Sequence, residues 1–165
     1  MQAFEASQDL LFLQTPLEAM EFIVRLLQEL IPVEAASACL YDIDTNEFRF
    51  VCAEGPGGEE RRGEAVPGAL GLMGRSAETE DLALRVDSPQ DEEFFDPGID
   101  GRVGVEPNSL LYMPLSRAGR LLGVLQLINR QRRGAFTQAD VDLIQYVGGQ
   151  AAQFLYNAKI AGRRR

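Results

Sequence analysis

The sequence predicts an α+β domain, and three features carry that prediction. Two pairs of short apolar segments, 36–43 with 47–53 and 109–117 with 121–130, read as β-hairpins. A capped helix precedes the first pair from Thr15-Pro16 onward, and a longer one follows the second pair from Thr137 onward. Between the hairpins, residues 55–107 are rich in glycine, proline and acid, a composition of loops and short elements in which a binding site is built. A chain of 165 residues, 45% hydrophobic and 25% charged, fills one core. The reading is a single domain over 15–161, with an N-terminal extension at 1–14 and a basic tail at 162–165.

In chain order, Phe4 to Gln14 contains Leu10-Leu-Phe-Leu13, which reads as a short helix in need of a partner. Thr15 caps the next helix, Pro16 suits its first position and Glu18 can return the capping bond. Leu17, Met20, Val24, Leu27 and Ile31 fall on one face, and Pro32 stops the helix. In the first hairpin, a two-residue Thr45-Asn46 turn sets Cys39 opposite Cys52. Gly55 to Gly63 concentrates glycine and charge and reads as an exposed, mobile loop. Pro67 to Arg75 reads as a short helix approached closely by another element, and Leu82 to Val86 as a short strand. Ser88-Pro89-Gln90-Asp91 repeats the cap, proline and acid of the first helix start and leads into Glu92-Glu-Phe-Phe95.

The second hairpin turns around Ala118-Gly119-Arg120, and its strands are apolar enough to lie centrally. Thr137-Gln-Ala-Asp140 caps the last helix. Along that helix Val141, Ile144, Gly148, Ala151, Leu155 and Ala158 follow a heptad spacing, with Leu143, Val147, Phe154 and Ala161 on an adjacent face. That is more apolar surface than one sheet contact needs, so the seam predicts a homodimer, the alternative being that both stripes form one wide face on the chain's own core.

The formal charge of −9 repels phosphate backbones and anionic lipid, so neither nucleic acid nor membrane is an expected partner. Glu18, Glu21, Arg25 and Glu29 interrupt the most apolar helix, and the N-terminus lacks a signal-peptide pattern; a cytoplasmic location is expected. Cys39 and Cys52 then stay reduced and serve as core residues.

The segments Ser109-Leu-Leu-Tyr-Met-Pro-Leu115, Gly123-Val-Leu-Gln-Leu-Ile-Asn129 and Phe136-Thr-Gln-Ala-Asp140 together resemble the GAF domain family. The resemblance runs from about Pro16 to Ile160, with Val66-Pro-Gly-Ala-Leu-Gly71 and Leu84-Arg-Val-Asp87 fitting the middle. It implies a central antiparallel sheet of about five to six strands, with the terminal helices on one face and pocket-forming loops and short helices on the other. Asn129, Arg130, Phe136 and Asp140 resemble the first four members of a signature in cyclic-nucleotide-binding GAF domains, while Val141 replaces the fifth, a glutamate. By that resemblance Arg130 and Asp140 form a structural ion pair. The family implies a bacterial regulatory module that dimerises and takes a small molecule, with a protein partner or an attached output domain. A ligand-free interaction scaffold is the alternative, and a free methionine-(R)-sulfoxide reductase a remote one.

Chemistry narrows the choice further. The chain has no histidine, which removes the common haem and zinc ligand and the most frequent general base. A reductase of this family needs cysteines on loops around the pocket, and none follows Cys52. Asp42-Ile-Asp44-Thr-Asn46 begins like a calcium loop but has Glu47 where glycine is required, and no phosphate-loop motif occurs. No enzyme activity, metal or cofactor is expected. For a ligand, apolar walls with a few hydrogen-bonding groups point to Leu72, Met73, Val86, Phe94, Phe95, Asn108, Ser109, Tyr112 and Gln126. Gln126, polar within an apolar strand, needs a partner if it faces the core.

Overall fold

The computed structural model describes residues 15–79, 82–102, 104–132 and 134–163; the Leu10–Leu13 segment and the last arginines lie outside them. An antiparallel sheet of six strands in the order β3-β2-β1-β6-β5-β4 forms the centre. The strands are β1 (Val33–Asp42), β2 (Glu47–Glu54), β3 (Ala65–Pro67), β4 (Leu84–Val86), β5 (Leu110–Arg117) and β6 (Arg120–Arg130). The helices are α1 (Pro16–Leu30), α2 (Gly58–Arg61), α3 (Gly71–Ala77), α4 (Pro97–Asp100) and α5 (Gln138–Arg163). Thr15 Oγ1 accepts from the Glu18 amide at 3.1 Å, and Thr137 and Asp140 exchange reciprocal bonds at the start of α5.

Strand alternation divides the interior into two cores. On one face, Leu111, Met113, Leu125 and Leu127 pack against Met20, Ile23 and Leu27 of α1 and Ile144, Val147 and Ala151 of α5. On the other face, Leu110, Tyr112, Val124 and Ile128 meet Leu72 and Met73 of α3, Ile99 of α4 and Phe48 and Phe50 of β2. Pro114 sits inside β5 without disrupting the sheet, because β4 pairs only Leu110 to Tyr112 and ends before the proline is reached.

Several expectations change. Leu17 is 47% exposed; Ala19, Ile23 and Leu26 join Met20, Val24 and Leu27 in the buried face. The first hairpin turns through Ile43 to Asn46, four residues between the paired Asp42 and Glu47. Its register slips between Ala38 and Cys39, leaving Val51 without a partner. Cys39 therefore lies opposite Phe50 and Cys52 opposite Ala38, which puts the two thiols on opposite faces of the sheet. The Gly55–Gly63 stretch contains α2 and buries Arg61, and the short β3, with no sequence signal, follows it. Helix α3 starts at Gly71, four residues later than Pro67 suggests. Ser88 makes no side-chain cap, and only a 3-10 turn, Pro89–Asp91, forms there.

The heptad seam is also corrected. Ile144, Gly148, Ala151 and Leu155 are buried within this chain, and a Cβ at Gly148 would lie 2.6 Å from Met113 Cγ. Only Val141 and Ala158 of the seam keep partial exposure. The two apolar stripes of α5 are one wide face, because the helix lies along β5 and also packs on α1.

Candidate functional site

The loop-side core holds a polar chain in otherwise apolar surroundings. Tyr112 and Gln126 are direct partners across β5 and β6, so alternation points both toward the loops. Gln126 Nε2 donates to Tyr112 Oη at 3.0 Å, and Tyr112 Oη donates to Asp100 Oδ1 at 2.6 Å. Asp100, 0% exposed at the end of α4, also accepts from the amides of Leu72 (2.8 Å), Met73 (3.1 Å) and Asp96 (2.9 Å). A carboxylate therefore closes the N-terminal turn of α3, where unpaired amides favour negative charge. Gly71 permits this approach: its φ is +73°, and a Cβ there would lie 2.9 Å from Asp100 Oδ2. Burial pushes the Asp100 carboxyl up, and the bonds from Tyr112 and the three amides offset part of that rise. Burial and the neighbouring Asp100 charge raise the Tyr112 phenol as well, so it stays protonated.

Two arginines enter the same layer. Arg61 Nη1 donates to Gly98 O (2.8 Å) and Glu64 (3.1 Å), its Nη2 donates to Ile99 O, and its guanidinium stacks 4.2 Å above the Phe50 ring. Arg102 Nη1 donates to Glu54 O at 2.8 Å, while its Nη2 reaches Ala36 O at 3.3 Å and Ser37 Oγ. Burial, then the like charge of Arg61, lowers the Arg102 pKa to about 10.

The sequence-derived ligand set divides in space. Leu72, Met73, Tyr112 and Gln126 converge on Asp100, and Val86 and Phe95 join the same core from its edge. Phe94 points outward, 47% exposed, with Arg75 4.5 Å over its ring. Asn108 and Ser109 belong to a different knot: their amides donate to Asn129 Oδ1 at 2.6 and 3.2 Å, and Ser109 Oγ accepts from the Arg130 amide. Asn129 Nδ2 reaches Glu34 and Glu106 O, and a surface cleft of about 330 Å³ opens beside this knot. Arg130 Nε donates to Asp140 Oδ2 at 3.0 Å. Burial alone would raise the Asp140 carboxyl, but the bonds from Arg130 and Thr137 outweigh it and hold it below the usual range. Sequence reasoning missed Asp100, Arg61, Arg102 and Ser37. Nothing in the local pattern marks any of these as interior, since each sits among loop residues or small strand residues.

Both cysteines are fully buried, and burial raises both thiol pKa values. Cys39 Sγ lies 4.0 Å from Met73 Sδ inside the loop-side core. Native protein is expected to leave both thiols unmodified by iodoacetamide, with full labelling only after unfolding in urea. Rapid native labelling of either one would show that its core opens to solvent.

A six-stranded antiparallel sheet with two long helices on one face, and short helices and loops closing an apolar core around a buried polar chain on the other, defines an α+β domain of one recognisable class. The GAF domain model matches residues 14–155, and the chain belongs to that family. It is 25% identical over 123 residues to the probable 3',5'-cyclic phosphodiesterase of Caenorhabditis elegans, a match covering 74% of this chain and 16% of that protein. The fold is similar to the GAF domain of a phosphoenolpyruvate-protein phosphotransferase from Coxiella burnetii. That likeness has a TM-score of 0.83 and 18% identity, covering 98% of this chain and 95% of the other. It is also similar to the free methionine-R-sulfoxide reductase of Neisseria meningitidis, solved with its substrate: TM-score 0.78, 14% identity, covering 96% and 89%. Among the described residues, no helix is long and apolar enough to cross a membrane.

Proposed function

We propose that this GAF domain is a non-enzymatic sensor whose loop-side layer takes a small molecule and whose helical layer passes the change to a partner or an attached output domain. The observation that carries this reading is the buried chain Asp100–Tyr112–Gln126. It ties the loop elements α3 and α4 to the two strands whose opposite face carries α5. A fully bonded polar chain in an apolar core holds one arrangement and penalises a half-formed one, so a displaced α4 is felt in the sheet. The likeness to a cyclic phosphodiesterase supports a nucleotide-like ligand. The buried thiols and the lack of histidine argue against reductase chemistry. The protein is proposed to act in the cytoplasm as a homodimer through the solvent edge of α1 and α5, where Leu17 is exposed and Phe154 and Ile160 are half-buried.

Native mass spectrometry with amide exchange tests the reading. Expected are a dimer mass, an increment on addition of a cyclic nucleotide or small metabolite, and slower exchange in α3 and α4. No increment and unchanged exchange across such a panel would leave the scaffold reading, which the filling of this core by Met73, Tyr112 and Phe50 favours.

A further inference from the structure

The chain carries a net charge of −9, yet two guanidinium groups are drawn into its loop-side layer. The Arg61 side chain is only 7% exposed. Its partners Gly98 O and Ile99 O, and those of Arg102, Glu54 O, Ala36 O and Ser37 Oγ, are all neutral oxygens. Glu64, 43% exposed, is the one carboxylate bonded to either guanidinium among the described residues. Neutral carbonyls satisfy donors but do not cancel charge, so Arg102, with no carboxylate bonded to it and Arg61 nearby, keeps a charge that its direct partners leave uncompensated. Arg61 lies over Phe50, the cross-strand partner of Cys39, and Arg102 bonds Ser37 two residues back along β1, so both stand over one patch of the sheet.

The bonding of each guanidinium is also incomplete. Arg61 Nε and Arg102 Nε are buried and have no hydrogen-bond partner among the described residues. A buried donor without an acceptor is costly, and a buried cationic donor more so. A neutral ligand could supply an acceptor but not the missing charge. A carboxylate or phosphate oxygen supplies both, and the planar guanidinium edge suits such a group.

We propose that Arg61 and Arg102 form a receptor for one small organic oxyanion, a carboxylate or a phosphate monoester, held beneath α4 on their unpaired Nε–H donors. This rests on the reading of the loop-side layer as a small-molecule site and names the chemistry it takes. Occupation reaches the rest of the domain directly. The carbonyls that Arg61 holds through Nη1 and Nη2 belong to Gly98 and Ile99, the two residues before Asp100, so an anion that draws the Nε edge of this guanidinium toward itself pulls on α4. Asp100 then shifts against Tyr112, Gln126 and the start of α3. Ser37 on β1 and Phe50 on β2 extend the coupling to the other half of the sheet.

The test is a titration of the full chain followed by arginine Nε–H and backbone amide NMR, with the two Nε–H signals assigned from Arg61→Lys and Arg102→Lys. The probes are succinate, adenosine 5′-monophosphate and inorganic phosphate against matched sodium chloride, with adenosine as the neutral control. Expected is a joint, saturable shift of both Nε–H signals with at least one oxyanion. Affinity should fall about tenfold or more in either lysine variant, which keeps the charge but loses the planar donor edge. A response to succinate alone assigns a carboxylate, and a response to the nucleotide or phosphate alone assigns a phosphate. Nε–H signals that stay fixed with every oxyanion overturn the proposal and make the pair structural, bonded to water. If adenosine still moves loop-side amides, the sensor reading survives without this inference. If no probe moves any amide, both fall. The wild-type titration decides the matter even if a lysine variant fails to fold.

Discussion

Asp100→Ala is expected to lower the unfolding free energy by about 3–5 kcal/mol. The carboxylate is the acceptor for the amides of Leu72, Met73 and Asp96 and for Tyr112 Oη, and truncation strands all four donors at once. An unsatisfied buried donor costs about 1–3 kcal/mol, and water entering the small space left behind recovers part of the total. Urea unfolding of wild type, Asp100→Ala, Tyr112→Phe and the double variant gives the coupling. About 1–2 kcal/mol is expected between the pair. A loss under about 1 kcal/mol for Asp100→Ala would mean that the carboxylate does not organise this layer.

The same variant changes the pH profile in a stated direction. Burial raises the Asp100 pKa in the native state, so the folded protein holds this proton to higher pH than the unfolded chain. Its contribution to stability therefore grows as pH falls from neutral through the native pKa, and Asp100→Ala removes that gain. Asp140 runs the opposite way: its pKa is lowered, so its contribution is present at neutral pH and lost as pH falls through the native value.

Gly123→Val is expected to cost at least about 3 kcal/mol or to prevent folding. A Cβ at this position would lie 2.2 Å from the carbonyl oxygen of Cys39, a backbone atom in the neighbouring central strand. No rotamer change relieves a contact with backbone, so β1 and β6 must separate where the β1–β2 register slips. Gly149→Ala is the control, since nothing lies within 4 Å of its added Cβ and the position is an exposed turn of α5. It should stabilise by up to about 1 kcal/mol through helix propensity. Thermal and urea unfolding of the two variants should shift in opposite directions, and a tolerated valine at 123 would show that the sheet centre is not close-packed there.

Helix ends and hairpins were legible because their signals are local. Thr15-Pro16 and Thr137 to Asp140 carry their own capping groups, and the alternation in Ser109 to Asn129 needs no knowledge of the rest of the chain. The inward direction of Gln126 was likewise legible as a question, and Tyr112, its cross-strand partner, answers it. Burial at loop positions was not legible. Arg61 in a glycine-rich acidic stretch and Asp100 before Gly101 have the composition of solvated loops, and contacts 12 to 38 residues away in sequence bring them inside.

By itself the sequence determined the order of helices and hairpins, the absence of histidine chemistry and a GAF-type α+β domain, because propensity, capping and periodicity act over a few residues. The tertiary structure alone decided the slip that parts Cys39 from Cys52, and the assignment of Ile144, Gly148, Ala151 and Leu155 to the chain's own core. It also decided the gathering of Arg61, Arg102 and Asp100 under the loops. The physical reason is common to all three: a register, a burial and a buried charge are each settled by what the opposing element presents, and that element lies far along the chain.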